Sequence, residues 1–360
     1  MHVAGAEHVK HVTDLDTPAV TIHLDRLDAN IARVQALLSR QSIANRPHIK
    51  THKIPAIAKR QLAAGACGIT CQKLGEVEVF ADAGITDDVL LTFNVVGAAK
   101  TERLTALAKR MRRLAVVFDN EVVARGISQA AKRDGVEIPF LVECDTGNGR
   151  NGVQTPQAAF DLTKLAATLP GLRFDGLMTY PNKPQTAAFF NEALAMFERA
   201  GIPVPVVSGG GTPALTTIDR FPMLTEHRAG TYVYNDVLIV TAGAATWDDC
   251  AMHVRATVVS RPTGDRAIID AGSKVLTREQ YAVKHFGRVV EYPDAIVANL
   301  NEEHGVLDLS ACDARPKVGD VVNLIPNHCC VVSNMVDEVY GIRGGTVEVV
   351  WPVAARGKVR

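Results

Sequence analysis

LAVVFDNEVVARGISQAAKRDGVEIPFLVECD (residues 114–145) decides the fold. Its ends, residues 114–118 and 139–145, are short apolar runs that read as strands. Residues 121–134 between them read as an amphipathic helix stopped at Gly135. Strand, helix and strand in such close succession make one step of a parallel sheet. The same alternation runs from residue 45 to residue 235. Further strands are expected at residues 46–51, 68–72, 89–93, 174–179, 204–208 and 224–228, with another helix at residues 158–168. Eight βα units within ~200 residues are the smallest form of a (β/α)8, TIM-type barrel. A doubly wound open sheet is the competing arrangement, because periodicity alone does not show closure.

Outward from this core, residues 19–25 form a strand ahead of the count. A helix follows whose face is Leu27, Ile31, Val34 and Leu38. Beyond residue 240 the pattern turns β-rich, with strands at residues 252–260, 266–270, 321–324 and 346–350. The expected fold class is therefore α/β, a barrel over residues 20–240 and an all-β domain over residues 241–360 that residues 1–25 join.

The chain has 360 residues, 47% of them hydrophobic, with 39 basic residues against 39 acidic ones. That excludes a mostly disordered chain and gives no electrostatic footprint for nucleic acid or an anionic membrane. The seven cysteines form no regular framework, which reads as the reduced usage of a cytoplasmic protein. Cys67, Cys71, Cys144, Cys250 and Cys312 are read as small buried hydrophobes. No signal peptide is evident in residues 1–10, and no apolar run reaches the ~20 residues of a membrane helix. A small-molecule ligand is the expected partner.

Barrel enzymes keep their chemistry at the C-terminal ends of the strands, with phosphate after strands seven and eight. Strand one leads into Arg46-Pro47-His48-Ile49-Lys50-Thr51-His52-Lys53, strand seven into Ser208-Gly209-Gly210-Gly211-Thr212, and strand eight into Arg228-Ala229-Gly230-Thr231-Tyr232. A glycine triplet lets backbone approach an anion without Cβ interference. A strand-end lysine at Lys50, desolvated, could bond a carbonyl carbon. Together they are what pyridoxal phosphate requires, although an ordinary turn and a solvated lysine would leave the same letters. His328 and Cys330 form a His-x-Cys pair. On an extended strand both would face one ion, and imidazole plus thiolate suits Zn²⁺. The alternative is a buried cysteine beside a hydrogen-bonded histidine.

These stretches, together with Asp16-Thr17-Pro18, Gly68-Ile69-Thr70-Cys71-Gln72-Lys73, residues 143–150, Asp270-Ala271-Gly272-Ser273-Lys274, Glu303-His304-Gly305 and Pro326-Asn327-His328-Cys329-Cys330, resemble the D-threonine aldolase and D-serine dehydratase family. Its members are fold-type III pyridoxal enzymes related to alanine racemase, and the likeness spans almost the whole chain. The resemblance implies that Lys50 carries pyridoxal 5'-phosphate. Gly210, Gly211 and Thr212, with Gly230, Thr231 and Tyr232, would then surround the phosphate. Arg150 and Tyr180 would lie near the ring and Gln72 beside it. It further implies a divalent metal (Zn, or Mn/Mg) on His328 and Cys330, His304 at the site, and a homodimer.

The implied activity is a lyase acting on β-hydroxy-D-amino acids. Cys71-Gln72-Lys73, Asn94-Val95-Val96-Gly97 and Ala355-Arg356-Gly357-Lys358 are similar to aldolases, which favours retro-aldol cleavage to glycine and an aldehyde. His-x-Cys is similar to the dehydratases, which eliminate the β-hydroxyl. Tyr180-Pro181-Asn182-Lys183 departs from the aldolase pattern, in which a histidine follows the tyrosine. An amino-acid racemase using Tyr281 or Tyr340, or a pyridoxal-binding protein without turnover, is the reading from another class.

Overall fold

The computed structural model describes residues 10–360, which divide into two compact units. One comprises Arg33–Lys50, Pro55–Gly230 and Gly357–Arg360. The other comprises the described residues up to Ala32, Thr51–Ile54 and Thr231–Arg356.

The first unit is built on an eight-stranded parallel sheet. Its order is Ala44–Asn45, Glu226–Arg228, Val206–Gly210, Leu172–Thr179, Ile138–Cys144, Leu114–Phe118, Val89–Leu91 and Ile69–Cys71. After the first pair, neighbours in the sheet are neighbours in the chain. The end strands are also joined: His48 bridges Thr70, Cys67 N–H donates to Asn45 O (2.9 Å), and Thr70 N–H donates to Pro47 O (2.8 Å).

The helix Glu121–Asp134 shows why these segments form. Val123, Ala124, Ile127, Ala130 and Ala131 make one buried face at helical spacing. The Asn120 side chain accepts the Val123 N–H (3.0 Å), and Gly135 ends the helix in the left-handed region at φ +64°. Inside the sheet, Leu90, Ala115, Val117, Leu141 and Met178 pack into an apolar cluster.

The strand expected at residues 46–51 is instead Ala44–Asn45, and Lys50 lies on the turn Ile49–Thr51. Pro47 has no N–H to give, so regular pairing stops, although Arg46 and His48 still donate to His227 O and Ala229 O (3.0 and 2.9 Å).

The second unit holds a nine-stranded sheet ordered Arg266–Ile269, Gly305–Asp308, Ile296–Leu300, Arg288–Val289, Val321–Ile325, Met252–Thr263, Ala19–His23, Glu338–Arg343 and Thr346–Pro352. Ala19–His23 runs antiparallel to Met252–Thr263 and parallel to Glu338–Arg343. The preceding residue pair is tied to the same sheet: Thr17 Oγ1 donates to Asp270 Oδ2 (2.5 Å), whose other oxygen accepts the Thr257 N–H (2.8 Å).

Two further expectations are corrected. His328 and Cys330 do not lie on a strand: His328 is the N-cap of the helix Cys329–Met335. Cys67 is exposed at a loop, not buried. Among the described residues no helix is long and apolar enough to cross a membrane.

Candidate active site

In the parallel-sheet unit, the residues after the strands converge on one pocket lined by His48, Lys50, Gln72, Thr92, Arg150, Met178, Tyr180 and Arg228. Lys50, Gln72, Arg150 and Tyr180 were expected from the sequence, and the structure brings all four together. The Tyr180 ring is their common neighbour. Lys50 Nζ lies 5.4 Å from its centroid and Arg150 Cζ 5.3 Å from it.

Sequence reasoning missed His48, which connects two of the four. Its Nδ1 accepts the Lys50 backbone N–H (3.3 Å), so its Nε2–H is the donor to Gln72 Oε1 (3.0 Å). Gln72 in turn donates to Thr92 O (2.7 Å). The turn carrying Lys50 is thus fixed to the ends of the next two strands.

Arg228, also missed, is buried; its Nε donates to Ser208 Oγ (2.7 Å) and its Nη2 to Thr179 O (2.5 Å). Desolvation lowers the Arg228 pKa, and the carboxylates of Glu226 and Glu143 oppose that shift. Glu143 is buried on the strand Ile138–Cys144. Desolvation pushes its carboxyl up to about 7, against the Arg150 and Arg228 charges. Its Oε2 accepts from Asn151 (2.6 Å), and its Oε1 lies 3.5 Å from Arg150. Three backbone N–H groups, of Gly147, Asn148 and Gly149, donate to Asp145 (2.7–2.9 Å) and shape the loop that carries Arg150.

The glycine loop lies against the same tyrosine. A Cβ on Gly210 would meet Tyr180 Cδ2 at 3.0 Å. Gly211 has φ +106°, and a Cβ there would meet Pro181 Cβ at 3.2 Å. Their N–H groups are already engaged: Gly210 donates to Asn182 Oδ1 (2.9 Å) and Gly211 to Arg228 O (2.9 Å). These glycines therefore contribute space rather than donors, and Asn182, in the segment that departs from the aldolase pattern, holds the loop. Thr212 is buried and Gly230 is partly buried.

The remaining expected residues belong to the other unit. Thr231 and buried Tyr232 start the turn Thr231–Val233. His328 and Cys330 interact directly, because the helix start at Cys329 folds the two side chains toward each other. Burial lowers the His328 pKa, but the Cys330 thiolate and the hydrogen bond to Asp236 raise it further, to about 11. Cys330 Sγ lies 3.2 Å from Thr51 Oγ1, and Thr51 follows Lys50 in the chain. The Tyr281 ring stands edge-on to His328 with centroids 5.8 Å apart.

Asp236 is the residue here that the sequence did not reveal. It is fully buried and its Oδ2 lies 3.1 Å from His328 Nδ1. Among the described residues no third histidine, cysteine or carboxylate completes a closed metal site. His328 and Cys330 could supply one imidazole and one thiolate to an ion whose other positions stay open. His304 is exposed on the turn between Ile296–Leu300 and Gly305–Asp308, and no contact described for it reaches His328 or Cys330.

The model for "Alanine racemase, N-terminal domain" matches residues 22–237, and that for "Putative serine dehydratase domain" matches residues 251–342. The chain is 35% identical over 362 residues to a D-threonine aldolase of Arthrobacter sp, covering 95% of this chain and 93% of that protein. It is 32% identical to the D-threo-3-hydroxyaspartate dehydratase of Delftia sp. (strain HT23), covering 88% and 91%. The crystal structure of D-threonine aldolase from Filomicrobium marinum superposes with a TM-score of 0.91 at 32% identity, covering 98% of both chains.

Proposed function

The chain belongs to the D-threonine aldolase and D-serine dehydratase family of alanine racemase-like lyases, and on that premise we propose that it cleaves β-hydroxy-D-amino acids to glycine and an aldehyde with pyridoxal phosphate and a divalent metal. The observation that carries this reading is the pocket in which Lys50, Arg150 and Arg228 surround Tyr180 at the strand ends. Such a pocket, with two arginines and a lysine about one aromatic ring, suits an anionic, ring-shaped cofactor. The eight-stranded sheet, with its joined end strands, is read accordingly as a (β/α)8 barrel.

When bound, pyridoxal phosphate supplies an electron sink for the bond broken at Cα, and a metal ion polarises the β-hydroxyl. The chain's own groups do the rest. Lys50 offers its amine to the cofactor, and the His48–Gln72–Thr92 chain keeps that lysine's backbone in place. Arg150 and Arg228 hold positive charge at the pocket wall, where a substrate carboxylate and the cofactor's own anionic groups need it. His328 and Cys330 provide the nitrogen and sulfur for the ion.

Elimination of the β-hydroxyl, giving ammonia and a keto acid, is the second reading. It is favoured by the cysteine at 330 and by Pro181 where aldolases carry a histidine. Incubation with D-threonine and D-serine, pyridoxal phosphate and Zn²⁺ or Mn²⁺ separates the two. Glycine with acetaldehyde is the expected outcome, ammonia with a keto acid establishes the dehydratase, and equal turnover of L-threonine overturns both.

A further inference from the structure

We propose that Asp236 is the positioning residue of the His328–Cys330 cation site, holding the imidazole and the adjoining helix start in register so that His328 Nε2 and Cys330 Sγ act on one ion. This rests on the reading of that pair as metal ligands. Asp236 lies 92 residues from His328 in sequence, and its two oxygens are divided between separate tasks. Oδ1 accepts the Ile239 N–H (3.0 Å) and caps the short helix Val237–Thr241. Oδ2 accepts the Cys329 N–H (3.0 Å) and the His328 Nδ1–H (3.1 Å).

Three consequences follow from that division. With Nδ1–H held by the carboxylate, Nε2 is the nitrogen that can take an ion, and the ring cannot turn over without breaking the bond. With the Cys329 N–H held by the same oxygen, the first helical turn, which carries Cys330, is fixed to the ring it must match. A carboxylate on the remote nitrogen also makes the imidazole a stronger ligand. Capping accounts for Oδ1 on the helix Val237–Thr241 and for the bond of Oδ2 to the Cys329 N–H at the start of the helix Cys329–Met335. The bond from the His328 Nδ1–H to the same buried oxygen is what capping does not explain.

Asp236→Asn tests this, because the amide can keep the cap through its oxygen but cannot accept two hydrogen bonds at its nitrogen. Zn²⁺ affinity is measured by competition with a chelator, on protein carrying pyridoxal phosphate. Expected is a loss of about 10–100-fold with the cofactor's absorbance unchanged. A Zn²⁺ affinity within about twofold of the parent, with only a lower melting temperature, would mean a cap and nothing more. Cys330→Ala is the companion: if it keeps the parent's affinity, the ligand pair itself is wrong and the proposal falls with it. Should Asp236→Asn not fold, ¹⁵N spectra of the Zn²⁺-loaded parent decide the matter. Zinc on Nε2 with a protonated Nδ1 is expected, and zinc on Nδ1 refutes the role of Asp236.

Discussion

Lys50, Lys53 and Lys73 lie within two neighbouring motifs, yet the structure gives them different chemistry. Lys53 is buried and its Nζ donates to Ala355 O (3.4 Å). Lys73 Nζ sits over the Phe93 ring, 3.5 Å from its centroid and outside the Tyr180 pocket, where burial and then the Lys100 charge lower its pKa. Lys50 alone lines the pocket with Tyr180 and the two arginines. Borohydride reduction of the cofactor-loaded protein followed by peptide mapping should therefore label Lys50. A label on Lys53 or Lys73 would transfer the catalytic role away from this pocket. Position 330 carries a comparable weight in the other unit under the proposed reading, in which its thiol and the His328 imidazole hold the ion.

At the scale of elements, the most consequential arrangement is a ladder of buried charge across the parallel sheet. Arg113 pairs with Asp88 (2.5 Å) and Asp175 (2.7 Å), and Asp88 pairs with Arg46 (2.9 Å). Arg46 then meets Glu226 (2.7 Å), and Glu226 accepts from Ser208 Oγ (2.7 Å), which in turn accepts from Arg228 at the pocket. The Arg46 and Glu226 side chains are only 5% and 6% exposed, so removing one strands the other in a poor solvent for charge. Glu226→Ala should cost about 3–5 kcal/mol, read as a lower urea midpoint, and should also weaken cofactor binding through Arg228. An unchanged midpoint would mean that water relieves Arg46.

None of this ladder was legible beforehand, because its members come from six different strands or strand ends and each looks like ordinary polar punctuation. Leu114–Phe118 and Glu121–Asp134 were legible to the residue. One is buried on both faces and the other carries a regular apolar stripe with an asparagine cap. The Lys50 segment was misjudged because a missing N–H at Pro47 outweighs an extended-looking sequence. His328-Cys329-Cys330 was misjudged because the helix that starts there is capped by Asp236, an oxygen far away in sequence. The family resemblance pointed to His328 and Cys330 as a pair but to neither the helix nor the carboxylate behind it.

At the scale of the whole molecule, each unit carries buried histidines that are neutral when folded. In one, His23 Nε2 lies 3.2 Å from His253 Nδ1 on neighbouring strands, with Arg26 at the other side of His253 (3.4 Å). Desolvation, then the nearby charges, brings His253 down to about 3 and His23 to about 4. In the other, His227 Nε2 donates to Gly211 O (3.0 Å), and desolvation lowers its pKa to about 4. A histidine whose folded pKa is depressed binds fewer protons folded than unfolded. The contribution of these histidines is therefore constant above the unfolded value near 6.5 and is lost as pH falls below it. At pH 5 the loss is about 2 kcal/mol for each fully buried histidine, with partly exposed His23 contributing less. Glu143 and His328, whose folded values are raised to about 7 and about 11, gain stability as pH falls and oppose this loss, so the histidine contribution is read as the difference in melting temperature between the parent and a histidine variant from pH 8 to pH 5. The scan belongs in excess chelator, so that metal release does not add to it. His227→Gln should start lower at pH 7.5, having lost its bond to the glycine loop, and should then fall less steeply. Parent and variant curves that stay parallel down to pH 5 would show that the His227 ring reaches protons without unfolding, and that the packing around it is looser than its burial implies.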